Sequence, residues 1–432
     1  MNRSDIQILS VILKSERAAD EPDIRRLVTD IEIFEHLDKP YLTGMLVFHD
    51  DNGIMNSYDI LGGERIEIVL KADYQNAKEI KKTFYIDRVL SCARSNDHAE
   101  AVFLSIIEEH AYVSNLLNIN KSYNGTASTI LAKIAYNFLS KLVLSSGTDK
   151  QLTKLIVPNL NPIEAMSWIK NQTTTIEGFP FYLYSNLVED TLNFEDLGTM
   201  LSSEPVNTVE APFRYAQTQT NLADEKERAR HILQYRSENT ENLYSMISQG
   251  LIGAKLEYID LLSDKKNNLK YDIAQDLLGP LTSKNLLNAK NPIFSTDYKL
   301  NGKAFNNIKS RTITQIGGNK CFQNGSNNTL SYGENIFASD YKLNFISKAM
   351  DEALFKAPLD FTLYGKYFLE GNKCTTIGNT IYLEFANAHP EKNTLLDRKK
   401  SGKYLIYSAR HMFKKEGYEV AMTGVKLGNE DL

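Results

Sequence analysis

Short runs in which apolar and polar residues alternate dominate the first hundred positions. Ile6 to Leu13, Leu27 to Phe34, Gly44 to Phe48, Glu64 to Leu70, Phe84 to Leu90 and Ala101 to Ile107 are each bounded by turn-forming or charged residues. Alternation places successive side chains on opposite faces of an extended chain, so each run predicts a strand. The cleanest is Glu64 to Leu70, where Ile66, Ile68 and Leu70 share one face and Arg65 and Glu67 the other. Six or so strands in about a hundred residues predict a sandwich or barrel.

Beyond residue 110 the period lengthens. Ile130, Leu131, Ile134, Phe138 and Leu142 line one face of a predicted helix over Ser128 to Val143. Asn161-Pro162-Ile163-Glu164 combines a capping side chain, a proline at the first helical position and a glutamate at the third, which predicts the start of a helix bearing Met166, Trp168 and Ile169. Gly178 and Pro180 end it, and Phe181 to Tyr184 with Thr191 to Phe194 predict two short strands. After residue 206 come a helix near 238–249, a strand at Ala254 to Leu261, an Asn/Lys/Gly/Ser-rich stretch, a helical stripe from Tyr341 to Phe355 stopped by Pro358, and strands at Asp360 to Tyr364 and Thr380 to Phe385. The end reads as a hairpin: Tyr404, Ile406, Ser408 and Arg410 alternate with Leu405, Tyr407, Ala409 and His411, then Gly417 permits a turn into Tyr418 to Leu427.

The expected fold is therefore mainly β with an α+β insert: a first β-barrel over 1–110, an α+β domain over 111–205, a second barrel from 206–263 and 336–432, and an insertion over 264–335 with little core of its own. A chain of 432 residues exceeds one core of ordinary size, which agrees with several domains.

Composition narrows the function. The net charge of −5 offers no basic surface for duplex nucleic acid, so sequence-specific nucleic-acid binding is not expected. The N-terminus has no signal-peptide block and no run is long enough to span a membrane, so no membrane anchor is expected. Cys92, Cys321 and Cys374 are odd in number and widely spaced, which predicts reduced thiols. His36, His49, His98, His110, His231, His389 and His411 never stand at helical ligand spacing; there is no phosphate-cradling loop and no Gly-x-Ser-x-Gly nucleophile motif. No catalytic, cofactor or metal residue is expected. Glu108-Glu109-His110 reads as a solvated strand end, Phe179 to Tyr184 as core in preference to a glycan-stacking platform, and Arg398-Lys399-Lys400 as a solvated turn.

The segment Ser401-Gly402-Lys403-Tyr404-Leu405-Ile406 resembles the terminal part of one structural family, the central hub proteins of contractile phage-tail baseplates. Leu42 to Asp50, Ser122 to Thr126, the capped helix at Asn161, Gly178 with the aromatic strand, Asn242 to Ala254, and Lys373-Cys374-Thr375-Thr376-Ile377-Gly378-Asn379 are similar to that family in the same order. The resemblance implies two tube-type barrels per chain and a homotrimer that joins a hexameric tail tube to a trimeric central spike. Baseplate wedge and tape-measure proteins are further candidate partners, and the implied location is the virion tail, assembled in the host cytoplasm. Two other functions remain open: a tail-associated glycan-binding or peptidoglycan-degrading protein, and the hub of a non-viral contractile injection machine.

Overall fold

The alternating runs of the N-terminal region assemble, in a computed structural model, into half of one large sheet. The structure describes residues 6–18, 20–73, 77–94, 99–137, 142–144, 151–215, 229–237, 243–260, 265–286, 299–317, 338–369, 373–387, 396–414 and 417–428. The first six strands are β1 (Ile6–Lys14), β2 (Val28–His36), β3 (Thr43–Asp50), β4 (Arg65–Ala72), β5 (Glu79–Arg94) and β6 (Glu100–Glu108), joined in the order β1-β4-β5-β6-β3-β2. Ile66, Ile68 and Leu70 are buried, as their shared parity requires.

The middle section holds β7 (Ser122–Thr126), β8 (Leu142–Leu144), β9 (Gln151–Ile156), β10 (Phe181–Ser185) and β11 (Leu192–Asp196) in two small sheets, β10-β11-β8 and β7-β9. Asn161 caps the helix Pro162–Asn171 as predicted, its Oδ1 accepting from the Glu164 amide at 2.8 Å while Glu164 Oε2 accepts from the Asn161 amide at 3.4 Å. The other helix is shorter than expected. It runs Ala127–Ala135; the Asn137 side chain donates to the carbonyl of Lys133 at 3.2 Å near its end, and Val143 lies in β8, paired in parallel with β11. Sheet pairing overrides the helical stripe there; Phe138 lies outside the described residues. Ile130, Leu131 and Ile134 pack with Met166, Ile169, Phe181 and Phe194 into a separate core.

The last section contributes β12 (Phe213–Tyr215), β13 (Ile232–Ser237), β14 (Gly253–Asp260), β15 (Lys265–Asp272), β16 (Lys299–Leu300), β17 (Lys303–Ala304), β18 (Arg311–Gly317), β19 (Leu359–Tyr364), β20 (Thr380–Phe385), β21 (Gly402–Lys414) and β22 (Gly417–Val425). The predicted terminal hairpin is β21–β22. It extends through β19 to β13 on one side, and β20 joins it to β12 on the other. β2 pairs antiparallel with β21 from Asp30/Lys414 to His36/Ser408, so both β regions share a single 12-stranded sheet.

One expectation fails. The stretch after residue 264 has a substantial core: β15 and β18 flank β14 in a three-stranded sheet, and Tyr271, Ile273, Leu277, Leu281 and Phe305 are almost fully buried. Tyr271 meets Phe345 edge-on at 5.1 Å on the helix Ala338–Leu354, whose Ala349, Met350, Ala353 and Leu354 are also buried. On β15, Lys266, Asn268 and Lys270 take the opposite face from Leu269 and Tyr271, so average composition conceals the apolar positions between them. Replacing residues 267–331 by a Gly/Ser linker should therefore lower both soluble yield and Tm, since each large apolar side chain left without its partner forfeits about 1.5–3 kcal/mol. A variant melting with the parent would show that this lobe contributes nothing to the rest.

Candidate functional site

The structural sections meet at one buried carboxylate. On β2, Ile31, Ile33 and Glu35 share the inward face. The β2–β21 register sets Ile33 beside His411, which makes Glu35 and His411 diagonal neighbours on that face. Both are buried completely, at 1% and 0% exposure.

Each oxygen of Glu35 ties down a different part of the chain. Oε1 accepts from the Leu187 amide at 2.6 Å, in the segment that follows β10. Oε2 accepts from the Thr376 hydroxyl at 2.5 Å and stands 3.2 Å from Nε2 of His411, within ion-pair reach although off the hydrogen-bonding axis. The other nitrogen of His411, Nδ1, lies 2.7 Å from the Tyr418 hydroxyl on β22. Burial alone would raise the Glu35 carboxyl; the charge of His411 and these hydrogen bonds outweigh it, and the group lies below the ordinary glutamate range. Burial pushes the Cys374 thiol up; its sulfur is 3.2 Å from the Thr376 hydroxyl.

A second ionic tie lies nearby. Lys82 of β5 is 5% exposed, donates to the Glu189 carbonyl at 2.8 Å, and reaches Asp190 at 2.8 Å and Glu108 at 3.7 Å. Glu108 also accepts from the Leu42 amide at 2.8 Å. The solvated strand end expected there holds only for Glu109, which stays part-exposed beside Arg65 at 3.4 Å; Glu108 is buried in a joint and His110 is bound to the Pro40 carbonyl at 2.7 Å.

Above this seam the outward face of the sheet forms a trough of about 630 Å³. Two of its charged groups are engaged: Arg410 pairs with Glu32 and lies 5.7 Å over the Phe34 ring, and Asp360 accepts from Thr423 at 2.7 Å. Burial and the charge of Lys39 pull His36, on the trough wall, below the ordinary histidine range. Glu35 and His411 are almost fully buried, and their contacts tie β2, β21, β22 and the Thr376 and Leu187 segments to one another.

Ser401 to Ile406 lead into this seam. Ser401 is buried and its hydroxyl accepts from the Phe385 amide at 3.0 Å; Tyr404 donates to the Lys400 carbonyl at 2.6 Å; Lys403 donates to the carbonyls of Leu201 and Ser203 at 2.9 and 2.6 Å. Gly402 has φ +125, a conformation that L side chains rarely adopt. Phe179, Phe181, Tyr182 and Tyr184 are all buried, which removes them as a glycan platform. Lys400 ion-pairs with Asp397 at 3.0 Å and lies over Tyr235, closing the basic turn on itself. Cys92 and Cys374 are free thiols, while Cys321 lies outside the described residues.

No protein-family model and no curated protein sequence matches the chain. Solved structures do. A tail protein from Neisseria meningitidis MC58 superposes with a TM-score of 0.55 at 14% identity over 96% of each chain. The 43 kDa tail protein of prophage MuSo2 from Shewanella oneidensis superposes with a TM-score of 0.51 at 10% identity, over 96% of this chain and 98% of that one. Both likenesses run almost end to end, and the mainly β architecture expected from the sequence is therefore the fold of these tail proteins.

Proposed function

We propose that this protein is the central hub of a contractile-tail baseplate, a structural part of the virion assembled in the host cytoplasm. On this reading residues 1–110 form the first tube-like unit, 111–205 the α+β unit, 206–263 with 336–432 the second tube-like unit, and 264–335 an insertion. The observation that carries the proposal is the β2–β21 pairing, which makes two β regions parts of one sheet. Three such chains would present six β units to a hexameric tail tube while keeping three-fold symmetry for a trimeric spike; two or four chains would present four or eight. The work is geometric adaptation through permanent interfaces, with no catalytic step.

Mass photometry of the chain with its tube and spike partners should give a particle containing three 49.0 kDa chains, about 150 kDa before partners are counted. A chain that stays monomeric under those conditions, or assembles as a dimer or tetramer, is not this hub. Hubs of non-viral contractile injection machines would share the architecture, and the neighbouring genes separate the two cases. The glycan-binding alternative has lost its aromatic platform to the core.

A further inference from the structure

Among the described residues, the three-stranded sheet β15-β14-β18 buries one face in the core and leaves most of the other exposed. Ala254, Leu256 and Tyr258 of β14 face its core, while Lys255, Glu257 and Ile259 face outward. The register adds Lys270, Asn268 and Lys266 from β15 and Thr312, Thr314 and Ile316 from β18 to that outward face. Lys255 and Lys266 both hold Glu257, at 2.7 and 2.9 Å, and their hydrogen bonds bring its carboxyl down to about 2. Glu257 is thereby saturated. Lys270 stands directly across from Lys255, an opposition of like charges that destabilises a sheet; Lys255 is held by Glu257, and Asp272, two positions along on the face of Lys270, accepts from the Ala274 amide at 2.9 Å, so no ion pair holds Lys270 among the described residues. Ile316 is 55% exposed on the same face. A face that carries Lys255, Lys266 and Lys270 beside an exposed apolar spot fits an acidic surface that also carries small apolar side chains.

Charge is divided within the chain in the complementary sense. Residues 243–317 hold ten Lys and Arg against six Asp and Glu, whereas the whole chain is net −5, so the remainder is net −9. The segment Glu204–Glu210 displays that acidity in a fixed form. Its Val206 amide donates to the Thr380 carbonyl at 2.8 Å, and the Asn207 side chain brackets Tyr382, accepting from its amide at 2.8 Å and donating to its carbonyl at 2.9 Å. Glu204 and Glu210 are exposed, and Val206 and Val209 project between them at 36% and 61% exposure. A strap already ordered along the edge of β20 loses little conformational freedom on docking.

We propose that the basic face of β15-β14-β18 docks onto the Glu204–Glu210 strap of a second copy of this chain. The two patches differ, so the contact is heterologous and propagates around a ring until it closes. Closure at three rests on the hub reading; the pairing itself does not.

Sedimentation of the full chain tests it. Self-association should weaken steeply between about 0.05 and 0.5 M salt, because exposed charges are screened over that range. Lys270→Glu should weaken it about tenfold, and Glu204→Lys with Glu210→Lys by a similar factor, while the chain carrying all three changes should recover. Recovery in the swapped chain cannot come from a folding defect. Three results overturn the pairing: a wild-type chain that never self-associates, association indifferent to Lys270→Glu, or a Lys270-dependent attachment to phosphatidylglycerol vesicles in place of self-association. A trimer that forms regardless of these charges removes the pairing and leaves the hub. Charge-sensitive association that closes at another number removes the hub and leaves the pairing.

Discussion

Glu35→Leu should cost about 3–5 kcal/mol of stability, since removing one partner of a buried ion pair strands the other. Here it would strand more than His411: the Thr376 hydroxyl and the Leu187 amide lose their acceptor as well. That is a large part of the 5–15 kcal/mol that holds a typical domain together. The double variant Glu35→Leu with His411→Leu should cost less than the two single changes added, because neither polar side chain is then left buried without the other. Chemical denaturation of the four proteins reads this coupling, and strict additivity would show that the two side chains do not interact. The pH dependence has a definite sign. The Glu35 carboxyl is depressed in the folded protein, so its contribution is complete above the ordinary glutamate value of 4.5 and disappears as pH falls through the depressed value. The gap in Tm between wild type and Glu35→Gln should therefore shrink as the pH falls below about 4.5. A gap that widens on acidification contradicts the assignment.

Ile406→Asp should be worse. Ile406 is fully buried, its carbonyl accepts from the Gly378 amide at 3.1 Å, and its amide donates to the Asn379 carbonyl at 2.9 Å. A carboxylate there has no partner and must be desolvated or neutralised, at about 4 kcal/mol or more. The expected result is insoluble protein, or a soluble fraction without a cooperative unfolding transition. Lys414→Ala, on the exposed end of the same strand, should express as wild type does. If the two variants behave alike, β21 is not the strand that organises the second β region.

Local patterns carried most of the architecture. The alternation around Ile66 and the box at Asn161 each depend on residues a few positions apart, and both recur in the structure. The seam was not legible in that way, because Glu35 and His411 come together only through a pairing between strands at opposite ends of the chain. A signal was present nonetheless: a carboxylate at the parity of Ile31 and Ile33, and a histidine at the parity of Ala409 and Phe413, are each out of place on an apolar face. The core after residue 264 was missed for a different reason. Tyr271, Leu277 and Leu281 are diluted by the Asn and Lys that coat the other side, and composition averages over both faces. Glu108 misled because three charged residues in a row suggest water, whereas Lys82 arrives from another strand to meet it.

The β2–β21 pairing has a consequence for how the chain is made. Glu32 and Arg410 are 378 positions apart, so at a synthesis rate of about 5–20 residues per second β2 waits roughly 20–75 s for its neighbour. Throughout that interval it is the bare border of a nascent sheet, open to pairing with any other emerging chain. Asp30, Glu32 and above all the inward-pointing Glu35 make it a poor template for a stranger, because an intruding strand would have to bury a charge it cannot answer. His411 and Arg410 arrive on the one strand that can. The same carboxylate that locks the finished molecule thus acts earlier as a guard, turning away partners until β21 emerges from the ribosome.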